Sequence, residues 1–190
     1  TTGCTANAAL YFLNCYFHDN TTNGYNGGSK AQMTDSVIES NSSSGVGAGS
    51  GVEMINCVIY NNTGAAADGY ELGVNNSTPA IIYNTISINN GRYGFNGITA
   101  GYSPIILDYN LYNSNATAGL FVVRAGANDL TSSPSLTDPA NGDFTLLSGS
   151  PCLATGSNAS DPATGVTGDY KTNIGVDQGD KITLSSGSVN

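Results

Sequence analysis

The segment NCYFHDN (residues 14–20) returns as NCVIYNN (residues 56–62), and DSVIESN (residues 35–41) stands halfway between them. The same seven-residue word thus recurs every 21 residues. In each copy a small residue (Cys15, Ser36, Cys57) follows Asn or Asp. A large apolar residue comes two positions later (Phe17, Ile38, Ile59), and Asn three after that (Asn20, Asn41, Asn62). A second pair, STPAIIYNTISINN (77–90) and YSPIILDYNLYNSN (102–115), is offset by 25 and aligns Pro79 with Pro104, Ile82 with Leu107 and Ile86 with Leu111. Repetition at this period constrains the chain to a solenoid, because a unit this short buries its apolar face only by stacking on its neighbours.

Within the repeats, apolar and polar residues alternate: Leu13, Cys15 and Phe17 against Asn14, Tyr16 and His18, and likewise Leu107, Tyr109 and Leu111. Period two means a strand with one face inward. A strand of about five residues in a coil of about 21–27 leaves room for two more short strands and turns, the make-up of a parallel β-helix. The fold expected is all-β, a right-handed parallel β-helix, with coils over residues 1–130 and a last coil and irregular cap over 131–190. Coils stack about 4.8 Å apart, so equivalent residues form ladders. Asn20, Asn41, Asn62 and Asn89 are expected to form one ladder, continued by Ser114 or Asn115, with Asn suited to left-handed corners. Cys15, Phe17, Ile38, Cys57, Ile59, Ile86 and Leu111 are expected to form the core ladder. Two coils put Cys15 and Cys57 about 9–10 Å apart, too far for a disulfide. Cys4 with Cys15 is the nearest alternative pairing, and Cys152 is expected to be unpaired.

Composition excludes several function classes. The 190 residues carry 23 Asn and 25 Gly, only 10% charged residues and a net charge of −9. The five basic residues are Lys30, Arg92, Arg124, Lys171 and Lys181. Nucleic-acid binding needs a basic footprint and anionic membranes attract one, so neither partner is expected. No apolar run approaches the roughly 18 residues of a membrane span. The chain starts at Thr1 with no signal peptide, so a processed or excised piece is expected. No CxxC pair supports zinc. Sequons start at Asn20, Asn41, Asn61, Asn76, Asn115 and Asn158.

The repeats resemble the right-handed parallel β-helix of the pectin-lyase-like superfamily. The run SPSLTDPANGDFTLLSGSPCLATGS (133–157) resembles the closing segment of large secreted β-helix repeat proteins, which carry a D-P-x-N-G-D-[FY]-x-L-x-x-G-S-P-C pattern and a D-I-G-like end. Here TNIGVDQGD (172–180) holds that last place, with Asn173 where Asp is usual. The resemblance implies a fold that hosts lyases, hydrolases, epimerases, tailspikes and adhesins, so it does not select a function.

Lyases of this type use Arg or Lys beside calcium-binding Asp. Lys30, Arg92 and Arg124 are the candidate bases, each without a paired carboxylate in its own coil pattern. Asp35 and Asp108 occupy outward strand positions too far apart to meet. RYGFNG (92–97) resembles the Tyr-Gly-Phe-Asp-Pro-His stretch of alginate epimerases, but Asn96 and Gly97 replace its Asp and Pro and no His follows. It reads as a turn, as does GVGAGSG (45–51). His18, the only His, stands beside Asp19 on an outward face. No catalytic residue is expected. Calcium is left open as a structural ion in the acidic tail, with Asp161, Asp169 and Asp177 as its candidate ligands.

The expected function is a non-catalytic β-solenoid, a structural or adhesive subunit of an extracellular, cell-surface or virion-surface assembly. Its first coil, an open sheet edge, is expected to be covered by self-association, by a partner chain or by a missing N-terminal region. The alternatives are a polysaccharide lyase- or hydrolase-like enzyme fragment, and a carbohydrate-binding module with Tyr60, Tyr83 and Tyr112 as an aromatic platform.

Overall fold

The computed structural model describes residues 4–6, 10–27, 31–48, 51–73, 78–97, 105–157 and 173–175. The chain climbs in coils of three short strands. The first coil is β1 (Cys4–Ala6), β2 (Leu10–Leu13) and β3 (Tyr16–His18); the second is β4 (Tyr25–Gly27), β5 (Ala31–Thr34) and β6 (Val37–Glu39). The third is β7 (Val46–Ala48), β8 (Glu53–Ile55) and β9 (Val58–Tyr60); the fourth is β10 (Tyr70–Leu72), β11 (Ala80–Tyr83) and β12 (Ile86–Ile88). The fifth is β13 (Tyr93–Asn96), β14 (Ile105–Asp108) and β15 (Leu111–Asn113), with β16 (Ala118–Phe121) beginning the next. Three parallel sheets result: β1-β4-β7-β10-β13-β16, β2-β5-β8-β11-β14 and β3-β6-β9-β12-β15. This is an all-β, right-handed parallel solenoid.

The expected single strand of each repeat is in fact two strands around a corner. Asn14, Asp35, Asn56, Asn84 and Tyr109 all take the left-handed conformation, with φ between 49° and 56°. Each turns the chain from the second sheet into the third. Alternation is broken there, so Leu13 points outward and is 50% exposed. Asp35 is a buried corner residue, not an outward strand residue. A second corner directly follows each strand of the third sheet, at Asp19, Ser40, Asn61, Asn89 and Ser114, with φ between 51° and 57°. Asn89 therefore makes a corner, and Asn90 takes the inward position after it.

That position carries the ladder. Backbone N and Nδ2 of Asn20 both donate to Asn41 Oδ1, at 3.1 and 2.8 Å. Asn41 donates likewise to Asn62, Asn62 to Asn90 and Asn90 to Asn115. The amides of Asn41, Asn62, Asn90 and Asn115 also return to a coil below, as Asn41 Nδ2 does to Phe17 O at 3.2 Å. Glycine is required beside this ladder. A Cβ on Gly45 would lie 2.7 Å from Ile59 Cγ2 and 2.8 Å from Asn62 Nδ2, and one on Gly94 would lie 2.8 Å from Asn115 Nδ2. Hence GVGAGSG and RYGFNG are not turns at their starts: Gly45 directly precedes strand β7, and Gly94 lies within strand β13.

The interior is filled by rows such as Phe12, Met33, Met54, Ile82 and Leu107 from the second sheet, with Ile38 and Ile59 from the third and Cys57 from the corner before β9. Ile86 and Leu111 do not join it. They pair in register with Val37 and Val58 on the outer face of the third sheet. The inward positions of those coils go to Ser87 and Tyr112, because Ile86 and Leu111 follow the corner by two residues, as Val58 does.

Residues after β16 fold back over that outer face. The hairpin β17 (Leu136–Asp138) and β18 (Asp143–Leu146) is joined by a 3₁₀ turn, Pro139–Asn141, that ends on Gly142 at φ 80°. Phe144, Cys152 and Ile174 then bury Val37, Val58, Tyr60, Ile86, Ile88 and Leu111. Among the described residues no helix is long and apolar enough to cross a membrane.

Candidate functional site

Titratable groups gather on the outer face of the third sheet, next to the cap. His18, Glu39 and Tyr60 stand in one register row, with Tyr16 two residues before His18. Tyr16 Oη donates to Glu39 Oε1. The Tyr16 and His18 rings meet edge to face at 4.6 Å, and His18 Nδ1 lies 2.9 Å from Asp19 Oδ2. Glu39 is only 9% exposed, and burial pushes its carboxyl up to about 7. A carboxyl protonated near neutral pH is suited to acid–base exchange. Sequence reasoning missed Glu39, since its partner Tyr16 lies on a different coil, 23 residues away.

Arg92 is not a solvated strand-face charge. Its Nε and Nη2 donate to the two oxygens of Asp68 at 2.9 and 2.6 Å. Tyr93 N and Asn96 Nδ2 complete the shell of that carboxylate, which is fully buried. The pairing spans coils, so the coil pattern hid it. The hydrogen bond to Asp68 holds the guanidinium further above its ordinary range, as a buried opposite charge does. Arg124 is exposed beyond β16, and Lys30 lies outside the described residues. Asp108 is engaged by Asn128 through N at 2.9 Å and Nδ2 at 3.2 Å. Among the described residues no group of three His, Cys, Asp or Glu is placed to hold a metal ion. Asp161, Asp169 and Asp177 lie outside the described residues.

The expected ladder residues are divided as follows. Asn20, Asn41 and Asn62 share one ladder, and Asn90 with Asn115 extends it; Asn89 does not take part. Cys57, Ile38 and Ile59 are buried in the interior, and Phe17 packs against them. Cys15 Sγ donates to Leu13 O at 3.5 Å, and Cys57 Sγ to Ile55 O at 3.4 Å. Burial pushes both the Cys57 and Cys152 thiols up to about 12. The three tyrosines do not form a platform: Tyr60 is buried under Phe144 and Tyr112 is buried against Phe95, leaving Tyr83 half-buried.

Stacked parallel strands in three sheets, joined by left-handed corners and an asparagine ladder, form the frame of these groups. A family model described as "Right handed beta helix region" matches residues 4–136. The chain belongs to the right-handed β-helix family. The match spans every β-helix coil and ends at the hairpin of the cap. Comparison with curated proteins gave no match. The pectin-lyase-like architecture is consistent with this membership, and the β-helix core accounts for the positions of the buried Asn and Gly.

Proposed function

We propose that this β-helix is a non-catalytic structural or adhesive subunit of an extracellular, cell-surface or virion-surface assembly, and that its N-terminal coil pairs with another chain, in the first instance a second copy. The observation that supports this is the state of the first coil. Strands β1, β2 and β3 each end their sheet. Tyr11 is 65% and Leu13 50% exposed, and the interior residues Phe12 and Phe17 are only half-buried. An unpaired strand edge beside exposed apolar side chains is a template for pairing. The engagement of Arg92 by Asp68 also supports a frame in place of a polysaccharide-cleaving groove.

The test is mass by light scattering over a concentration series, for the chain and for Leu13→Lys. Self-association that Leu13→Lys abolishes supports the reading. A monomer at every concentration refutes it.

One observation favours a second reading, an enzyme fragment: Glu39, with its raised carboxyl, beside Tyr16 and His18. Cleavage of pectate, alginate or hyaluronan that is lost in Glu39→Gln would put this reading first.

A further inference from the structure

The asparagine ladder has a direction, so its two ends differ. In every rung the backbone N and Nδ2 of one Asn donate to Oδ1 of the Asn one coil further on. At the head of the solenoid Asn20 directs both donors to Asn41, and among the described residues no group donates to its own Oδ1. At the tail Asn115 Oδ1 accepts both donors of Asn90, and its Nδ2 returns to Ser87 O at 3.0 Å. Asn41 and Asn62 use Nδ2 twice, once along the ladder and once back. For Asn115 the bond along the ladder, and the one from its backbone N, have no acceptor among the described residues. Asn20 and Asn115 are only half-buried. One end of the ladder thus shows an acceptor and the other shows donors.

Apolar exposure follows the same division. Among the described residues before the hairpin, the large exposed apolar side chains lie on the end coils: Tyr11 and Leu13 at the head, Ile106, Phe121 and Val122 at the tail. The interior is half-covered at the same two places, at Phe12 and Phe17 and at Leu120 and Val123. Strand β16 ends the first sheet at the tail as β1 does at the head. Leu130 occupies the position beyond β15, bonded to Asn110 O at 2.7 Å and to Tyr112 N at 3.0 Å, so the open part of the tail is β16 with the Asn115 corner. Val122 takes the left-handed conformation at φ 54°, rare for a β-branched residue. It is 51% exposed beside Phe121, whose ring stacks on Tyr93 at 4.6 Å.

We propose that the tail of one copy, β16 with Asn115 and Val122, receives the head of the next, so that the solenoid continues from chain to chain. This rests on the pairing of the first coil proposed above and names the surface it pairs with. Asn115 of one copy donates to Asn20 Oδ1 of the next. Strand β16 pairs with the next β1 in parallel, as every strand of the first sheet pairs with its neighbour. Phe12 and Phe17 then cover Leu120 and Val123. A two-fold contact of head on head does none of this: it sets acceptor against acceptor and runs the facing strands antiparallel. Head-to-tail contacts are heterologous and continue into a filament or close into a ring.

Light scattering on two variants, alone and mixed, tests the proposal. Leu13→Lys alters only the head and Val122→Lys only the tail. Each alone is expected to weaken association about tenfold or more, because every contact in either sample carries one altered surface. Mixed in equal amounts they are expected to form a dimer of twice the chain's mass and nothing larger, through the intact head of one and the intact tail of the other. Unchanged thermal melts establish that both fold. Val122→Asn, which suits the left-handed backbone, is a second tail variant with the same expectation. The proposal is overturned if both tail variants associate as the unaltered chain does, or if the mixture stays monomeric. Association lost in Leu13→Lys but kept in both tail variants leaves the first-coil reading standing and puts a two-fold contact in place of this one. A chain that is monomeric at every concentration overturns both.

Discussion

Asn62 and Asn90 keep the ladder in register across the longest coil: both donors of Asn62 reach Asn90 Oδ1, at 3.2 and 2.9 Å, over 28 residues of chain. The extra residues are taken up outside the ladder, partly in the loop that holds Asp68 and partly between β10 and β11. Asn62 also accepts from Asn41, and its Nδ2 bonds Ile38 O at 3.3 Å. Substituting Ala strands donors and an acceptor in a buried site, each costing about 1–3 kcal/mol. Asn62→Ala is therefore expected to lose about 3 kcal/mol or more in urea denaturation. Asn89→Gly is the contrasting variant. It keeps the left-handed corner at φ 57° and should change stability by less than about 0.5 kcal/mol.

A methyl group on the glycine ladder should be as damaging as a deletion in the asparagine ladder. At Gly45 it meets Ile59, Asn62 Nδ2 and Gly69 O within 2.8 Å. Backbone on one side and a bonded amide on another leave nothing to yield. Gly45→Ala is expected to cost about 1–3 kcal/mol, whereas Gly149→Ala meets nothing within 4 Å and suffers only from its positive φ. Paired denaturation curves check the ranking.

Glu39 sets a pH dependence. Burial raises its folded pKa from 4.5 to about 7, so between those values the folded state holds the proton and the unfolded state does not. Stability then falls as pH rises. The contribution of Glu39 is neutral below about 4.5, grows more unfavourable through the window and levels off above about 7. The chain carries other ionisable groups, so the diagnostic is the difference between the chain and Glu39→Gln. The variant should lose the downward slope between pH 4.5 and 7 in thermal melts.

The cap rests on Phe144, whose ring meets Tyr60 edge to face at 5.5 Å. Phe144→Ala is expected to cost about 3–5 kcal/mol and to loosen the segment that shields Cys152. Alkylation of Cys152 should accelerate while Cys57, deep in the solenoid, stays protected. Equal acceleration at both would mean that the solenoid and cap open together.

The repeat made the stacking and the asparagine ladder legible, because a fixed period forces equivalent residues into contact. The corners were not legible as a pattern of alternation. A left-handed residue between two strands of three or four residues resets the phase, which placed Leu13 inward and shifted the ladder to Asn89 by one residue. Ile86 and Leu111 were legible as buried but not as buried beneath the cap, since both faces of the third sheet are apolar. Two details of the closing segment have physical causes. Asn141 Nδ2 holds Asp138 Oδ2 at 2.8 Å across the 3₁₀ turn. Asn173 Oδ1 accepts from Ala154 N at 2.9 Å, a role that Asn fills as well as Asp. Arg92 with Asp68, Tyr16 with Glu39 and Gln32 with Glu53 all join different coils, so local spacing could not announce them.

The account stands on the first coil being a pairing edge. Hydrogen–deuterium exchange followed by mass spectrometry, at low and high protein concentration, reads this directly. The prediction is that amides of β2 and β3 gain protection as concentration rises, that those of β8 and β9 in the middle of the stack stay protected throughout, and that Leu13→Lys cancels the gain. Exchange in β2 and β3 that is equally fast at every concentration would contradict it.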